Sequence, residues 1–393
     1  MPRRLESHPH WNHLDTREEL HAHATTAELT VGVTRIRAGA VPLFRSGHDG
    51  LQQAIRLRVD GPNGPVQVAV AHGDATLDHA TIDVDGSPQS VHLFVPEVES
   101  ETRFRLDAGA GSHRGSAEIV VAPQRKWSIH LIHHSHFDYG YTDPQAVVME
   151  HQLRYIDAAL EIIRATDGWD GDSVFRWNVE VTYPLQQWLR TRPRAMREEL
   201  VKRVKEGRIE VNALPFSMHT EAYSIDELAW GLKFTDELRE VYGIEVVSAI
   251  QSDVPGATIG LLNLLTSADV RYLSVAHNYA GRSAPFRFGG QNLTRPFWWQ
   301  GADGKRLLVW QSDTPHGVAY MDGVLVGLSE SEPVARGLLP DYLAALAARP
   351  YPYGKHAFGW HDLPAGLPVT KQPYAHDLLY LRVQNSLADN APP

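Results

Sequence analysis

Up to about Arg125 the chain alternates apolar and polar positions in short runs: "ELTVGVTRIRA", "QQAIRLRVDG", "VQVAVAHG", "ATIDVDG", "SVHLFVPEV", "TRFRLDAG" and "GSAEIVVAP". A period of two places every second side chain on one face of a sheet. Most runs end in Gly, Asp, Asn or Pro, the residues that turn a chain. About seven strands at intervals of roughly a dozen residues, with no helical pattern between them, predict an antiparallel β-sandwich over residues 1–125. No residue pair in this part suggests chemistry, so it reads as a packing or carbohydrate-recognition module.

From Lys126 the pattern changes to strand, helix, strand, helix. "WSIHLIHHSH", "VFRWNVEV", "IEVNALPF", "VVSAIQSD" and "RYLSVAH" read as strands. Between them, "PQAVVMEHQLRYIDAALEIIRA", "YPLQQWLRTRPRAMREELVKRVKEG", "SIDELAWGLKFTDELREVYG" and "TIGLLNLLTSA" carry helical spacing. The helices open on Pro, Ser or Thr and several close on Gly, and Pro193 predicts a break in the second. Such alternation predicts parallel strands with helical crossovers over residues 126–393, an α/β barrel or a doubly wound sheet. In either, the active site lies at the C-terminal strand ends. That rule brings "HSHFD", "NVEV", "PFSMHTE", "QSD" and "AHN" into one neighbourhood.

One of these strand ends is unusually rich in titratable groups. "HLIHHSHFDYGYTD", residues 130–143, holds four histidines and two aspartates. His134, His136 and Asp138 share a strand face, with His133 and Phe137 opposite, and a two-residue step spans about 7 Å. A bend at the strand end lets imidazole and carboxylate converge on one ion; the alternative is a polar strand end bonded to backbone. Asp253, at the end of "VVSAIQSD" and before the turn "VPG", is the natural third ligand. Its other reading, a helix cap, suits Thr258 better.

Composition narrows the chemistry. The 393 residues are 43% apolar, carry a formal charge of −10 and include no cysteine. Any metal is therefore held by His, Asp or Glu. No run of Lys or Arg is long enough to track phosphates, which argues against nucleic acid. No window approaches eighteen apolar residues and no apolar run follows "MPRR", so neither a membrane span nor an export signal is expected, and the default compartment is cytoplasmic.

"HSHFDYGY" is similar to "HSHNDPGW", the signature of glycoside hydrolase family 38, the α-mannosidases. "QSDVPGATIGLLNLL" followed by "RYLSVAHN" resembles that family's "DPFGHS" segment and the strand after it, and "PFWWQGADGKRLLVW" resembles its "FxWxGPDG" hairpin. The likeness runs with gaps from about Lys126 to the C-terminus. It implies a (β/α) barrel of the seven-stranded type shared by glycoside hydrolases and deacetylases. It implies metal-dependent, retaining hydrolysis of α-linked mannosides or related sugars. By the same resemblance His136, Asp138 and Asp253 bind Zn2+ or another divalent cation, Asp253 is also the nucleophile, and Asp389 is the acid/base. Tyr141, in place of the family's Trp, then offers an aromatic face to the sugar. His277 stands where the family has an Arg; Glu221, at the end of "PFSMHTE", is expected to line the pocket, its other reading being a solvated loop glutamate. The family's fourth ligand is a His after the acid/base aspartate, whereas "GWHDLPAG" with His361 precedes Asp389, and the chain is expected to be the front part of a longer protein. Two other readings stay open: a metal-dependent carbohydrate deacetylase, and a non-catalytic carbohydrate-binding protein.

Overall fold

The computed structural model describes residues 20–22, 24–141, 143–254, 257–277, 296–311, 326–328 and 331–347, and the backbone of 378–384. Contacts divide these into two units.

The first unit is a sandwich of two four-stranded antiparallel sheets. One has the order β1 (Ala27–Val31), β2 (Thr34–Gly47), β3 (Gly50–Asp60), β6 (Gln89–Pro96); the other has β5 (Ala75–Val84), β4 (Gly64–His72), β7 (Thr102–Ala110), β8 (His113–Val121). The alternating apolar residues of both sheets, Ile36, Leu57 and Leu93 against Val68, Leu106 and Ile119, share one core. "ELTVGVTRIRA", expected as one strand, is instead the hairpin β1–β2, paired from Val31↔Thr34 outward. Gly32 makes that turn at φ +63°, where a Cβ would lie 2.8 Å from the His113 ring. A side chain there is both strained and crowded.

Helix Glu332–Ala347 groups with this unit, so the unit takes in a segment beyond residue 126. Its fully buried Asp341 accepts from Arg56 Nε at 3.0 Å and pairs with His21 Nδ1. Arg56, also fully buried, donates to the His21 carbonyl at 3.0 Å. A buried charge persists only when it is paired and hydrogen-bonded in this way.

The second unit alternates strands and helices. In chain order it contains β9 (Ser128–His134) from Leu131 onward, α1 (Gln145–Ala165), β10 (Trp177–Val179), α2 (Thr182–Thr191), α3 (Arg194–Lys205), β11 (Ile209–Val211), α4 (Ile225–Gly231) and α5 (Lys233–Tyr242). It continues with β12 (Ser248–Val254), α6 (Ile259–Ser267), β13 (Tyr272–His277), β14 (Phe297–Gln300) and β15 (Arg306–Gln311). Pro193 separates α2 from α3, as the sequence predicts. The helix expected over "SIDELAWGLKFTDELREVYG" is also broken, at Leu232. Its start is a capping box between Ser224 and Glu227, and its end is Gly243 at φ +61°, the left-handed residue that closes many helices.

The strands form two four-stranded sheets, ordered β11-β10-β9-β16 with β16 at Leu378–Gln384, and β12-β13-β15-β14. β9, β10 and β11 run parallel, as do β12, β13 and β15, while β14 forms the expected hairpin with β15. Among the described residues, the parallel bridge Asn212↔Ser248 joins the two sheets. The fold is thus α/β, and among the described residues the strands do not close on themselves. Leu160, Trp188, Leu238, Leu262 and Leu307 contribute to one core beneath both sheets. Among the described residues no helix is long and apolar enough to cross a membrane.

Candidate active site

β9 ends at His134, so His136 and Asp138 sit in the loop that follows and not on the strand face itself. His134 and His136 converge on one carboxylate. Buried Glu180, just beyond the end of β10, lies 2.5 Å from His134 Nδ1 and accepts from His136 Nδ1 at 2.8 Å. Parallel pairing of the two strands, Asn178 opposite His134, makes this meeting possible. The loop is tied down from behind as well: Gln152 of α1 donates to Ser135 Oγ at 2.9 Å and to the His136 carbonyl at 2.8 Å.

With Nδ1 committed to Glu180, the opposite ring nitrogen of His136 faces two carboxylates. Its Nε2 is 3.4 Å from Asp138 Oδ1 and 3.8 Å from Asp253 Oδ2. One donor atom from each of His136, Asp138 and Asp253 lies within 4.8 Å of the others. Asp253 reaches this position through its backbone. The β12–β13 register shifts between Ser252, opposite Ala276, and Val254, opposite His277. Asp253 is the bulged residue between them, at φ +58°. A bulge re-aims a side chain out of the strand's alternation, and a left-handed residue other than glycine is a cost that clusters at functional sites. The flanks are fixed: Gln251 bonds both backbone groups of Met218, at 3.0 and 2.5 Å, and the Ser252 N–H donates to Ser217 Oγ at 3.0 Å.

The electrostatics are those of a cation site. Burial pushes the His136 imidazolium toward losing its proton, but Glu180 and Asp138 outweigh it and hold the group up at about 10. Burial would raise Glu180 too, yet the two imidazoles keep it well below the usual carboxylate range. A nitrogen and carboxylate oxygens surrounding one point, with the imidazole oriented by a further carboxylate, is a donor set suited to zinc or a similar divalent ion. Glu180 escaped the sequence analysis, although "NVEV" was placed at the site. Its signal was a lone carboxylate ending a strand parallel to the histidine strand.

The remaining expected residues are placed less tightly. Tyr141 lies in the turn after Asp138, 74% exposed, its N–H 3.4 Å from the Asp138 carbonyl. Glu221 is exposed in the short helical turn Thr220–Ala222. His277 closes β13 opposite Val254, next to Asp253 in register, and its side chain lies outside the described residues. Asp389 and His361 also lie outside the described residues. Thr258 occupies the position before α6, so Asp253 is not that helix's cap.

Residues 126–334 match the family model described as the glycosyl hydrolases family 38 N-terminal domain. Among solved structures, the chain is similar to a glycosyl hydrolase family 38 protein from Enterococcus faecalis, with 14% identity and a TM-score of 0.40, over 68% of this chain and 27% of that one. It is similar to an alpha-mannosidase from Enterococcus faecalis V583, at 14% and 0.41, over 56% and 23%. A 4-alpha-glucanotransferase from Thermococcus litoralis matches at 17% and 0.35, over 47% and 27%. The match covers 27%, 23% and 27% of these three structures. No curated protein matches it.

Proposed function

The chain belongs to glycosyl hydrolase family 38, and from that membership we propose that it is a metal-dependent, retaining glycosidase for α-linked mannosides or related sugars. The observation that carries the reading is the convergence of His136, Asp138 and Asp253 to within 4.8 Å, with His136 oriented by Glu180. These three residues would hold Zn2+ or another divalent cation. When bound, such an ion supplies charge stabilisation and a template for vicinal sugar hydroxyls. The parallel strands of the two sheets, bridged at Asn212↔Ser248, are compatible with part of a (β/α) barrel of the seven-stranded type.

The protein's own groups then divide the reaction. The Asp253 carboxylate attacks the anomeric carbon, forming an ester as the bond to the leaving oxygen breaks. A carboxylic acid, assigned by family resemblance to Asp389, gives its proton to that oxygen. Water, deprotonated by the same carboxylate, then releases the sugar from Asp253 with retained configuration. Glu180 keeps Nδ1–H of His136 occupied and so directs Nε2 toward Asp138 and Asp253. Exposed Tyr141 would present a ring on which a pyranose stacks, and Glu221 and His277 are assigned to substrate contact from their positions in the sequence.

The test is metal analysis together with hydrolysis of an aryl α-mannoside by the full chain. About one zinc per chain is expected, with activity lost to a chelator and restored by zinc. Undiminished hydrolysis by metal-free protein would contradict the proposal.

A further inference from the structure

Besides Tyr141, two residues in the loop of the site depart from the family signature: Phe137 and Tyr139 stand where "HSHNDPGW" has Asn and Pro. The two departures are physically coupled. Phe137 lies between His136 and Asp138 in sequence and is only 6% exposed. Its ring stacks on Tyr139 at 5.2 Å and 24°, and on Phe216 at 5.9 Å and 21°. Tyr183 closes the group, 5.0 Å from Phe216 and edge-on to Tyr139 at 5.7 Å. These are the offset and tilted arrangements that aromatic rings prefer.

The partners make the cluster more than local packing. Tyr183 comes three residues after Glu180, on the segment that orients His136. Phe216 immediately precedes Ser217, whose Oγ accepts from the Ser252 N–H beside Asp253. The rings therefore connect the loop of His136 and Asp138 to the two segments that place Glu180 and Asp253. The loop itself, from Ser135 to Tyr139, has no regular secondary structure to fix its shape. A proline would restrict its backbone directly; stacked, buried rings restrict it through packing.

We propose that the Phe137–Tyr139 stack on Tyr183 and Phe216 is a positioning device that sets the spacing of His136 and Asp138 from Asp253, and with it the affinity of the site for a divalent ion. The proposal rests on the metal reading of the site. These rings are positioning residues, acting through the ligands and not on the substrate.

The experiment measures Zn2+ affinity by chelator competition and the visible absorption of the Co2+-loaded protein, in the full chain. Phe137→Leu keeps an apolar side chain of similar bulk but removes the ring, and Tyr139→Ala removes the second ring. Both are expected to weaken Zn2+ binding by at least about tenfold, as loss of outer-sphere support does, and to shift the Co2+ spectrum. Tyr139→Phe retains the ring and is expected to keep wild-type affinity and spectrum. Leu200→Ala, a core change on α3, lowers the melting temperature and is expected to leave both readouts unchanged. Wild-type affinity and spectrum in Phe137→Leu and Tyr139→Ala would overturn the proposal, as would an equal loss in Leu200→Ala. A wild-type chain that binds neither ion ends the metal reading, and this proposal with it.

Discussion

Replacing Glu180 with Gln keeps the side chain's size and removes its charge. The native carboxylate is 3% exposed, 2.8 Å from His136 Nδ1 and 2.5 Å from His134 Nδ1. The far side of the His136 ring is roughly 5 Å from that charge, so at an effective dielectric of about 20 each unit of positive charge there gains about 3 kcal/mol. In the metal-free protein the positive charge is the imidazolium itself, which burial disfavours but Glu180 and Asp138 hold up at about 10. A divalent ion carries twice the proton's charge and loses twice as much when Glu180 is neutralised. Net preference for the ion therefore falls by about one such unit, an upper bound of about 3 kcal/mol. Losing a carboxylate that supports a ligating imidazole costs about 10–100-fold in affinity, or about 1.4–2.7 kcal/mol. The two figures agree in size. Chelator competition at pH 7.5 reads the affinity, and calorimetry in two buffers of different ionisation enthalpy counts the protons released. The Gln variant is expected to bind Zn2+ about 10–100-fold more weakly and to release fewer protons than wild type. Unchanged affinity with an unchanged proton count would contradict the charge support assigned to Glu180.

Three further outcomes follow from the same structure. Asp253→Gly and Asp253→Ala both remove the carboxylate, but the φ of +58° favours glycine, so the Gly variant is expected to be the more stable by about 1 kcal/mol in urea melts; equal stabilities would mean a relaxed backbone. Because His136 is raised from 6.5 to about 10, its stabilising contribution is complete below about 6.5 and is lost as pH rises through about 10. Metal-free protein should therefore become less stable from pH 6.5 to 10 in the presence of a chelator, and a flat or rising profile would count against the Glu180–His136 pairing. Asp341→Ala leaves Arg56 charged and buried and is expected to cost the sandwich about 3–5 kcal/mol in urea; a loss below about 1 kcal/mol would mean that the pair stabilises little.

What the sequence conveyed depended on how local the signal was. His136 and Asp138 were legible because two residues of spacing put both on one side of the chain, and Asp253 because it ends a strand before "VPG". The same alternation put Phe137 on the opposite side, where the structure buries it among aromatic rings. Glu180 carries no spacing relation to the histidines. It becomes a partner only once β9 and β10 pair in parallel, 44 residues apart at His136. Asp341 and Arg56 are separated by 285 positions, and nothing near either one signals the other. The β1–β2 hairpin was hidden because "VGV" preserves the apolar alternation through the turn, leaving Gly32 as the sole mark of the reversal. The break at Leu232 was hidden for a similar reason: the apolar spacing continues across it from α4 into α5.

Asp253, turned out of its strand by a bulge, is the residue proposed to form a bond to the sugar. A fluorinated α-mannosyl substrate with a good leaving group slows release of the covalent intermediate, and peptide mass mapping locates the attached sugar. One fluoro-sugar ester is expected on Asp253 in the metal-loaded protein, absent from Asp253→Asn. Turnover without any adduct, or an adduct on a different residue, would contradict it.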